Sequence, residues 1–244
     1  SHSMLINVDV KGLEVVVAAQ LSGDITLCKE LLDGVDIHET NRDVFNLGEG
    51  KAGRLVAKIF KFRLLYGGSA YSYANDPDFR GVSSSQSFWQ EVIDKYYDKY
   101  SGIKEWHGQL LIEAQTTGRI VIPSGRYYPI TPDISRRESW PLTIIKNYPV
   151  QGFGADLVML ARLEANRLLV ASGIEASFIG TIHDSIVVDT PEENVYNIGK
   201  LLKQAVEEVP SLCKKVWDYN FSLPLKCEIA YGMNKTNMTE MYFE

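Results

Sequence analysis

The sequence is short of cysteine, of long apolar runs and of basic residues. Its three cysteines, Cys28, Cys213 and Cys227, show no C-x-x-C spacing, so neither a disulfide framework nor a zinc site is predicted and a reducing compartment is expected. No apolar stretch reaches the ~20 residues that a membrane-spanning helix needs, so no membrane partner is expected. Lysine and arginine number 25 against 31 aspartates and glutamates, and the net charge of −6 taken alone argues against a nucleic-acid partner.

The rest of the composition is that of a folded protein. The 244 residues are 45% hydrophobic and 23% charged, which is enough for one large domain or two small ones with a substantial core. Residues 1–4, Ser-His-Ser-Met, have neither the basic start nor the apolar run of a signal peptide. They are interpreted as the remnant of an expression tag.

Hydrophobic patterning predicts an α+β fold. The order is a strand, a helical block of more than a hundred residues, a hairpin, a long helix, a pair of strands, an amphipathic helix and a last strand. The segments are 5–10, 13–117, 118–131, 141–172, 176–189, 192–209 and 225–231. Strands at both ends with helices between them indicate a sheet domain that carries a large helical insertion.

The strand pair is broken only by His183 and Asp184. A two-residue hairpin turn favours Asn-Gly or Asp-Gly because its residues adopt positive φ. This turn is therefore either an ordinary polar turn or a carboxylate held at a hairpin tip. Asp9, near the end of the first strand, is either a turn residue before Gly12 or a neighbour of Asp184 in the same sheet. Two adjacent carboxylates could bind a pair of Mg²⁺ ions, which prefer oxygen ligands.

The predicted helix over residues 51–66 carries a stripe of cations and aromatic rings. Arg54, Lys58, Phe62 and Tyr66 are each four residues apart and lie along one helical face. Such a stripe could present charge to a triphosphate and ring faces to a base. The alternative is a solvated basic stretch followed by core aromatics.

Taken together and in order, the motifs resemble those of the family A DNA polymerases, the bacterial polymerase I and phage replicative enzymes. The resemblance covers residues 8–234. Its motifs are Asp9–Glu14 with Leu21–Asp24 (motif A), Asp36–His38, Arg54–Gly67 (motif B), Asn147–Asp156, and Ile182–Asp184 (motif C).

The resemblance implies a polymerase palm, an antiparallel sheet with flanking helices, interrupted by a helical fingers insertion. The implied boundaries are palm at 5–24 and 119–244 and fingers at 25–118. No segment corresponds to a thumb or a proofreading exonuclease, which are expected to be absent or to belong to another region or chain. The implied location is the cytoplasm of a bacterial or phage-infected cell.

The implied activity is template-directed DNA synthesis, in which a primer 3′-hydroxyl attacks a dNTP. The implied partners are primer-template DNA and dNTP, and the implied cofactor is a pair of Mg²⁺ ions held by Asp9, Asp184 and the Val10 carbonyl. The resemblance makes Lys58 the general acid for the pyrophosphate leaving group.

The same resemblance assigns substrate contacts residue by residue. Arg54, Lys58 and His38 would hold the triphosphate, and Phe62 would stack on the incoming base and sugar. Tyr66 would lie near the templating position, and Glu14 would exclude a ribose 2′-hydroxyl. Four residues match positions near the primer end or the minor groove, where pairing geometry can be checked without reading sequence: Arg126, Asn147, Gln151 and His183.

The sequence departs from the family pattern at several positions. Val10 and Lys11 replace the usual tyrosine and serine of motif A, and Ser185 replaces the glutamate of motif C. Arg63 follows Phe62 where the family usually has a small residue. These departures leave open a non-catalytic nucleic-acid-binding or assembly module that keeps the fold.

A single-subunit RNA polymerase is the third possibility, against which Glu14 and Phe62 argue. The acidic net charge is compatible with DNA binding because a local cluster of Arg54, Lys58, Lys61 and Arg63 is averaged out in the total. The chain alone is expected to hold DNA weakly and with strong salt dependence.

Overall fold

The computed structural model of the protein describes residues 3–136 and 139–243, except the side chain of Arg136. Five strands form one antiparallel sheet in the order β4-β5-β1-β6-β7, and two form a separate hairpin. In chain order the strands are β1 (Ser3–Val10), β2 (Arg119–Val121), β3 (Tyr127–Pro129), β4 (Ser177–Ile182), β5 (Ser185–Pro191), β6 (Cys227–Gly232) and β7 (Thr239–Met241).

The helices fall mainly between the first strand and the hairpin. They are α1 (Leu13–Ser22), α2 (Ile25–Leu32), α3 (Ile37–Phe45), α4 (Gly50–Leu65), α5 (Ala70–Asn75), α6 (Gln86–Lys99), α7 (Ser101–Thr117), α8 (Leu142–Ser172) and α9 (Val195–Trp217). Short 3₁₀ turns lie at Pro77–Phe79, Ile134–Arg136 and Glu192–Asn194. Helices with an antiparallel sheet confirm the predicted α+β class and the order of its elements. Among the described residues, no helix is both long and apolar enough to cross a membrane.

The sheet is built on β1, which pairs with β5 on one side and β6 on the other. Ile6, Val8 and Val10 alternate along β1 and are buried, as the period of two in a half-buried strand requires. The amphipathic helix α9 packs on β1, β5 and β6. Because β1 is hydrogen-bonded to a strand on each side, its backbone is held in place, and this fixes the direction of the side chains at its C-terminal end.

Helix α9 runs further than the sequence pattern predicts. The pattern ends at Val209 because Pro210 cannot donate to the helix ladder. In the structure the helix continues through Pro210 to Trp217, with Cys213 buried, and ends where Asp218 adopts the left-handed conformation at φ 54°. Burial of the continuing apolar face outweighs the cost of the missing hydrogen bond.

Contacts divide the described residues into two compact units. The sheet unit lies within residues 1–17, 123–125 and 151–244, and the helical unit within 18–122 and 126–150. The predicted domain boundaries gave all of 119–244 to the palm, whereas these contacts group 126–150 with the helices. The assignment of palm and fingers to these segments stays a prediction.

The helical unit is organised around an aromatic core. The ring of Phe60 on α4 stacks on that of Trp89 on α6, with centroids 5.9 Å apart, and lies 4.9 Å from that of Tyr73 on α5. The Tyr73 hydroxyl donates a 2.9 Å hydrogen bond to the Phe60 carbonyl. These contacts bury Phe60, whereas Lys58 on the same helix is exposed. The strand β7 has no counterpart in the predicted elements, because it is too short to show a period, whereas the short helix α5 lies inside the predicted helical block.

Candidate active site

Two carboxylates meet where β1 ends and β4 turns into β5. Asp9 is the penultimate residue of β1, and Asp184 is the second residue of the turn between β4 and β5. The pairing of β1 with β5 sets Asp9 opposite Ser185, whose Oγ donates a 3.0 Å hydrogen bond to Asp9 Oδ1. The Val10 amide donates to the Asp184 carbonyl at 3.1 Å. The structure thus brings the three predicted metal ligands together within the sheet unit.

The turn that carries Asp184 has an unusual backbone. His183 adopts φ 53°, in the left-handed region that non-glycine residues rarely occupy. Its side chain is exposed, while Asp184 is half-buried. An ordinary two-residue hairpin turn has positive φ at both of its residues, whereas in this turn only His183 has it. The left-handed residue therefore directs the chain so that Asp184 comes beside Asp9.

The electrostatics of this corner are dominated by negative charge. Burial, followed by the neighbouring carboxylate of Asp184, raises the pKa of Asp9 above its ordinary value, and the hydrogen bond from Ser185 opposes this rise. Glu228 on β6 lies opposite Asp9 in the strand register and adds to the same effect. Lys11 balances part of that charge through an exposed ion pair with Glu228 at 3.7 Å.

The residues of this corner fit a hard divalent cation. Two repelling carboxylates and a backbone carbonyl offer only oxygen donors, the ligands that Mg²⁺ prefers. Within the described ranges no group of three or more His, Cys, Asp or Glu side chains is arranged to hold a metal ion. An ion bound here would therefore complete its shell with water or with oxygens of a bound substrate, as is usual for Mg²⁺.

Three other predicted site residues belong to the sheet unit. Glu14 lies in the first turn of α1 and is half-buried, five residues after Asp9. Gln151 is exposed on α8, and His183 is exposed at the hairpin tip. The remaining predicted site residues belong to the helical unit.

Helix α4 carries the predicted stripe of cations and rings. Lys58 is exposed, whereas Arg54, Phe62 and Tyr66 are half-buried, and Tyr66 caps the C-terminal end of the helix. The ring of Phe62 lies 6.3 Å from that of His38 on α3. The charges of Arg54 and Lys58 both act on His38. The structure therefore brings the predicted triphosphate and base contacts together on one side of the helical unit.

Arg54 already has a carboxylate partner. Its Nε donates to Asp36 Oδ2 at 2.9 Å, and its second guanidinium nitrogen lies 2.8 Å from the same oxygen. Asp36 also caps α3, because its Oδ1 accepts hydrogen bonds of 3.1 Å from the amides of His38 and Glu39. One carboxylate thus fixes both the start of α3 and the position of Arg54, and a phosphate would have to compete for the guanidinium.

His38 is held in its neutral form. Burial, followed by the charges of Lys61 and Arg54, lowers the pKa of its imidazole to about 4. Its Nδ1 is buried and has no hydrogen-bond partner in the described part of the chain. A neutral imidazole can donate one hydrogen bond to a phosphate oxygen without adding a charge.

The last two predicted DNA contacts lie near the hairpin and at the start of α8. Arg126 is exposed just before β3, and its carbonyl accepts a 2.9 Å hydrogen bond from the Ile122 amide. Asn147 is half-buried on α8, and its Oδ1 finds no partner among residues 3–136 and 139–243.

Sequence reasoning missed two residues of these sites. Glu228 could not be placed opposite Asp9, because its strand was predicted but the register of that strand was not. Lys61 was counted only as part of a basic cluster, although the structure buries it almost completely. The sequence carried one signal of this burial, since Lys61 lies at the same helical phase as core residues of α4.

The profile of DNA polymerase family A matches residues 1–237 of the 244-residue chain. This chain belongs to DNA polymerase family A. The family A motifs identified in the sequence are the segments that build the two sites above.

Named relatives are longer than this family A chain. DNA polymerase I of Streptococcus pneumoniae serotype 4 is 29% identical over 219 residues, which are 86% of this chain and 24% of that protein. DNA polymerase I of Bacillus caldotenax is 25% identical over 242 residues, 95% of this chain and 26% of the relative. The chain therefore spans about a quarter of the length of these relatives.

A solved structure has the same fold. The POL domain of Pol1 from M. smegmatis, described in complex with DNA primer-template and dNTP, superposes with a TM-score of 0.80. The likeness covers 94% of this chain and 39% of the other, at 20% sequence identity. At that identity the comparison shows the fold of this family A chain and no more.

Proposed function

We propose that this chain performs template-directed DNA synthesis, in which a primer 3′-hydroxyl attacks the α-phosphate of a dNTP and pyrophosphate leaves. The observation that carries the proposal is the adjacent pair Asp9 and Asp184 in a member of DNA polymerase family A. Two carboxylates held together at a strand end, with no cationic partner of their own in the described residues, are suited to a divalent ion at the reacting phosphate.

Asp9, Asp184 and the Val10 carbonyl would hold two Mg²⁺ ions. When bound, such ions stabilise the attacking and leaving oxygens of an in-line displacement. The hydrogen bond from Ser185 orients the Asp9 carboxylate, and the left-handed turn at His183 holds Asp184. Lys58, which is exposed on α4, would donate a proton to the leaving pyrophosphate.

The nucleotide would bind along α4. Arg54, Lys58 and the neutral imidazole of His38 would hold the triphosphate, and Arg54 would exchange Asp36 for a phosphate oxygen. Phe62 would stack on the base and sugar, and Tyr66 would lie near the templating base. In the sheet unit, Glu14 would occupy the space that a ribose 2′-hydroxyl needs.

Primer-template DNA would contact Arg126, Asn147, Gln151 and His183. The POL domain of M. smegmatis, which has this fold, is described with DNA primer-template and dNTP, and this supports the same partners here. The named relatives are several times longer than this chain, so further phosphate contacts from a thumb or from a separate chain belong to the proposal.

Primer extension tests the proposal. The purified chain is incubated at low salt with an annealed primer-template, Mg²⁺ and four dNTPs. The reaction is run with this chain alone and again with a separate chain that supplies a thumb. We expect extension that requires Mg²⁺ and dNTP and that fails with Asp184→Asn. Asp189→Asn, a half-buried carboxylate on β5 of the same sheet, is the matched control and should extend normally.

A non-catalytic DNA-binding module is the second candidate. It is favoured by Ser185, which stands where the family usually supplies a third carboxylate, and by Val10, which replaces the usual tyrosine of motif A. This candidate predicts DNA binding that does not respond to dNTP or Mg²⁺ and no extension under any condition. Preference for rNTP over dNTP in the same assay would favour an RNA polymerase instead.

A further inference from the structure

Lys61 on α4 is a buried lysine with no hydrogen-bonded partner among the described residues. Its residue is only 1% exposed, and its Nζ makes no hydrogen bond to any described residue. A buried ammonium that lacks a hydrogen-bonded counter-charge is strongly disfavoured, and such a group either loses its proton or acquires a partner. The proposed reaction gives this residue no role.

Lys61 shares the face of α4 that carries the phosphate-binding cations. It lies three residues after Lys58 and seven after Arg54, spacings that place side chains on one side of a helix. Its charge acts on His38 of α3, whose Nδ1 is also buried without a partner in the described chain. Two unsatisfied groups thus lie behind the surface at which a triphosphate would bind.

The charged groups around Lys61 leave it as a surplus cation. Glu30 of α2 is engaged by Lys99 of α6 at 2.8 Å and by the Tyr100 hydroxyl at 2.6 Å. Asp36, which precedes α3, is engaged by Arg54. Lys58 adds further positive charge from α4 itself.

These surroundings favour the deprotonated amine in the absence of a ligand. The two nearby carboxylates are occupied, and burial outweighs their remaining attraction for the ammonium. The pKa of Lys61 is accordingly lowered to about 7. A polyanion placed on the same helical face would reverse the balance, because nearby negative charge favours the protonated form.

We propose that Lys61 takes up a proton when the triphosphate of a nucleotide binds beside Arg54 and Lys58, so that nucleotide binding is coupled to proton uptake. The inference rests on the proposed nucleotide site and adds to it a buried amine that becomes fully protonated when the substrate is present. The affinity for nucleotide then falls as the pH rises above the range in which free Lys61 holds its proton.

Titration calorimetry tests the coupling. Mg²⁺–dATP is titrated at about pH 8 into the chain, with and without a primer-template that ends in a dideoxynucleotide, in two buffers of different ionisation enthalpy. The wild type should take up about 0.9 proton per nucleotide, because a group with a pKa near 7 is about one-tenth protonated there. Lys61→Met should take up almost none, and Lys51→Met, an exposed lysine on the same helix, should behave as the wild type.

The possible outcomes of the calorimetry separate the proton coupling from the proposed nucleotide site. Nucleotide binding with wild-type proton uptake that is lost only in Lys61→Met supports the coupling. Binding with no uptake, or with equal uptake in Lys61→Met, overturns the coupling and leaves the proposed polymerase site intact. No binding of Mg²⁺–dATP by any variant, with or without DNA, overturns the proposed site and the coupling with it.

A pH series on the wild type keeps the test decisive if Lys61→Met does not fold. Uptake should be about half a proton near pH 7 and close to one near pH 8. The pKa of His38 is about 4 without ligand, so the triphosphate would have to raise it by about four units before the imidazole held a proton at pH 8, whereas the pKa of Lys61 needs a rise of only about one to two units. A wild type that shows no uptake near pH 8 overturns the coupling without any variant.

Discussion

The burial of Lys61 predicts a stabilising substitution whose size depends on pH. Burial lowers the pKa of Lys61 from 10.5 in the unfolded chain to about 7 in the fold. Between these two pH values the unfolded chain therefore binds more protons than the folded chain, and the free energy of unfolding rises with pH. The destabilisation caused by the buried lysine is present in full below pH 7 and disappears as the pH approaches 10.5.

Lys61→Met removes this cost while filling a similar volume. Since one pKa unit corresponds to about 1.4 kcal/mol, the shift from 10.5 to about 7 amounts to about 4 kcal/mol at pH 7. By linkage, the lysine's cost falls by about 2 kcal/mol between pH 7 and pH 9. The variant should therefore be more stable than the wild type at pH 7, and the gap should narrow by that amount at pH 9.

Urea unfolding followed by tryptophan fluorescence measures both quantities. The free energy of unfolding is determined for the wild type, Lys61→Met and Lys51→Met at several values between pH 6 and pH 9. The exposed control should track the wild type throughout. A Lys61→Met variant that is less stable at pH 7, or a difference that does not change with pH, would refute the assignment of Lys61 as a buried, unpaired lysine.

Three further substitutions separate the other parts of the account. Asp36→Asn keeps an α3 cap but frees Arg54 from its ion pair. Since an exposed ion pair is worth about 0.2–1 kcal/mol, the substitution should tighten dNTP binding about 1.4- to 5-fold in transient kinetics. Weaker dNTP binding would contradict the exchange of Asp36 for a phosphate. Glu14→Ala should raise rNTP incorporation relative to dNTP by about 10- to 100-fold in single-nucleotide assays, as the loss of a steric block predicts; an unchanged ratio would remove Glu14 from the site. His183→Gly should raise the free energy of unfolding by about 1 kcal/mol, because glycine has no left-handed penalty; a loss of stability would mean that the side chain holds the turn.

Local sequence patterns predicted most of the fold. The alternation along β1, the paired strands around His183 and the amphipathic face of α9 were each visible in the sequence and are confirmed by the structure. The end of α9 was not, because burial of Cys213 and its neighbours carries the helix past Pro210. Packing at a distance decided this boundary, and no local signal reports it.

The site was predictable as a set of residues but not as a set of contacts. Motif spacing identified Asp9 and Asp184, yet the register that sets Ser185 and Glu228 beside Asp9 depends on which strands pair. The burial of Lys61 likewise depends on how other helices, such as α3, pack on α4. Such relations join segments far apart in sequence, and the residues alone do not specify them.

The most direct test of the central claim is the rate of single-nucleotide incorporation in rapid-quench experiments with the wild type, Asp184→Asn and Asp189→Asn. Each protein is saturated with primer-template and mixed with Mg²⁺ and the correct dNTP. The account predicts that Asp184→Asn loses at least about a thousandfold in rate, on the order of 4 kcal/mol of transition-state stabilisation. Asp189→Asn should keep the wild-type rate. Incorporation by Asp184→Asn at the wild-type rate would contradict the account.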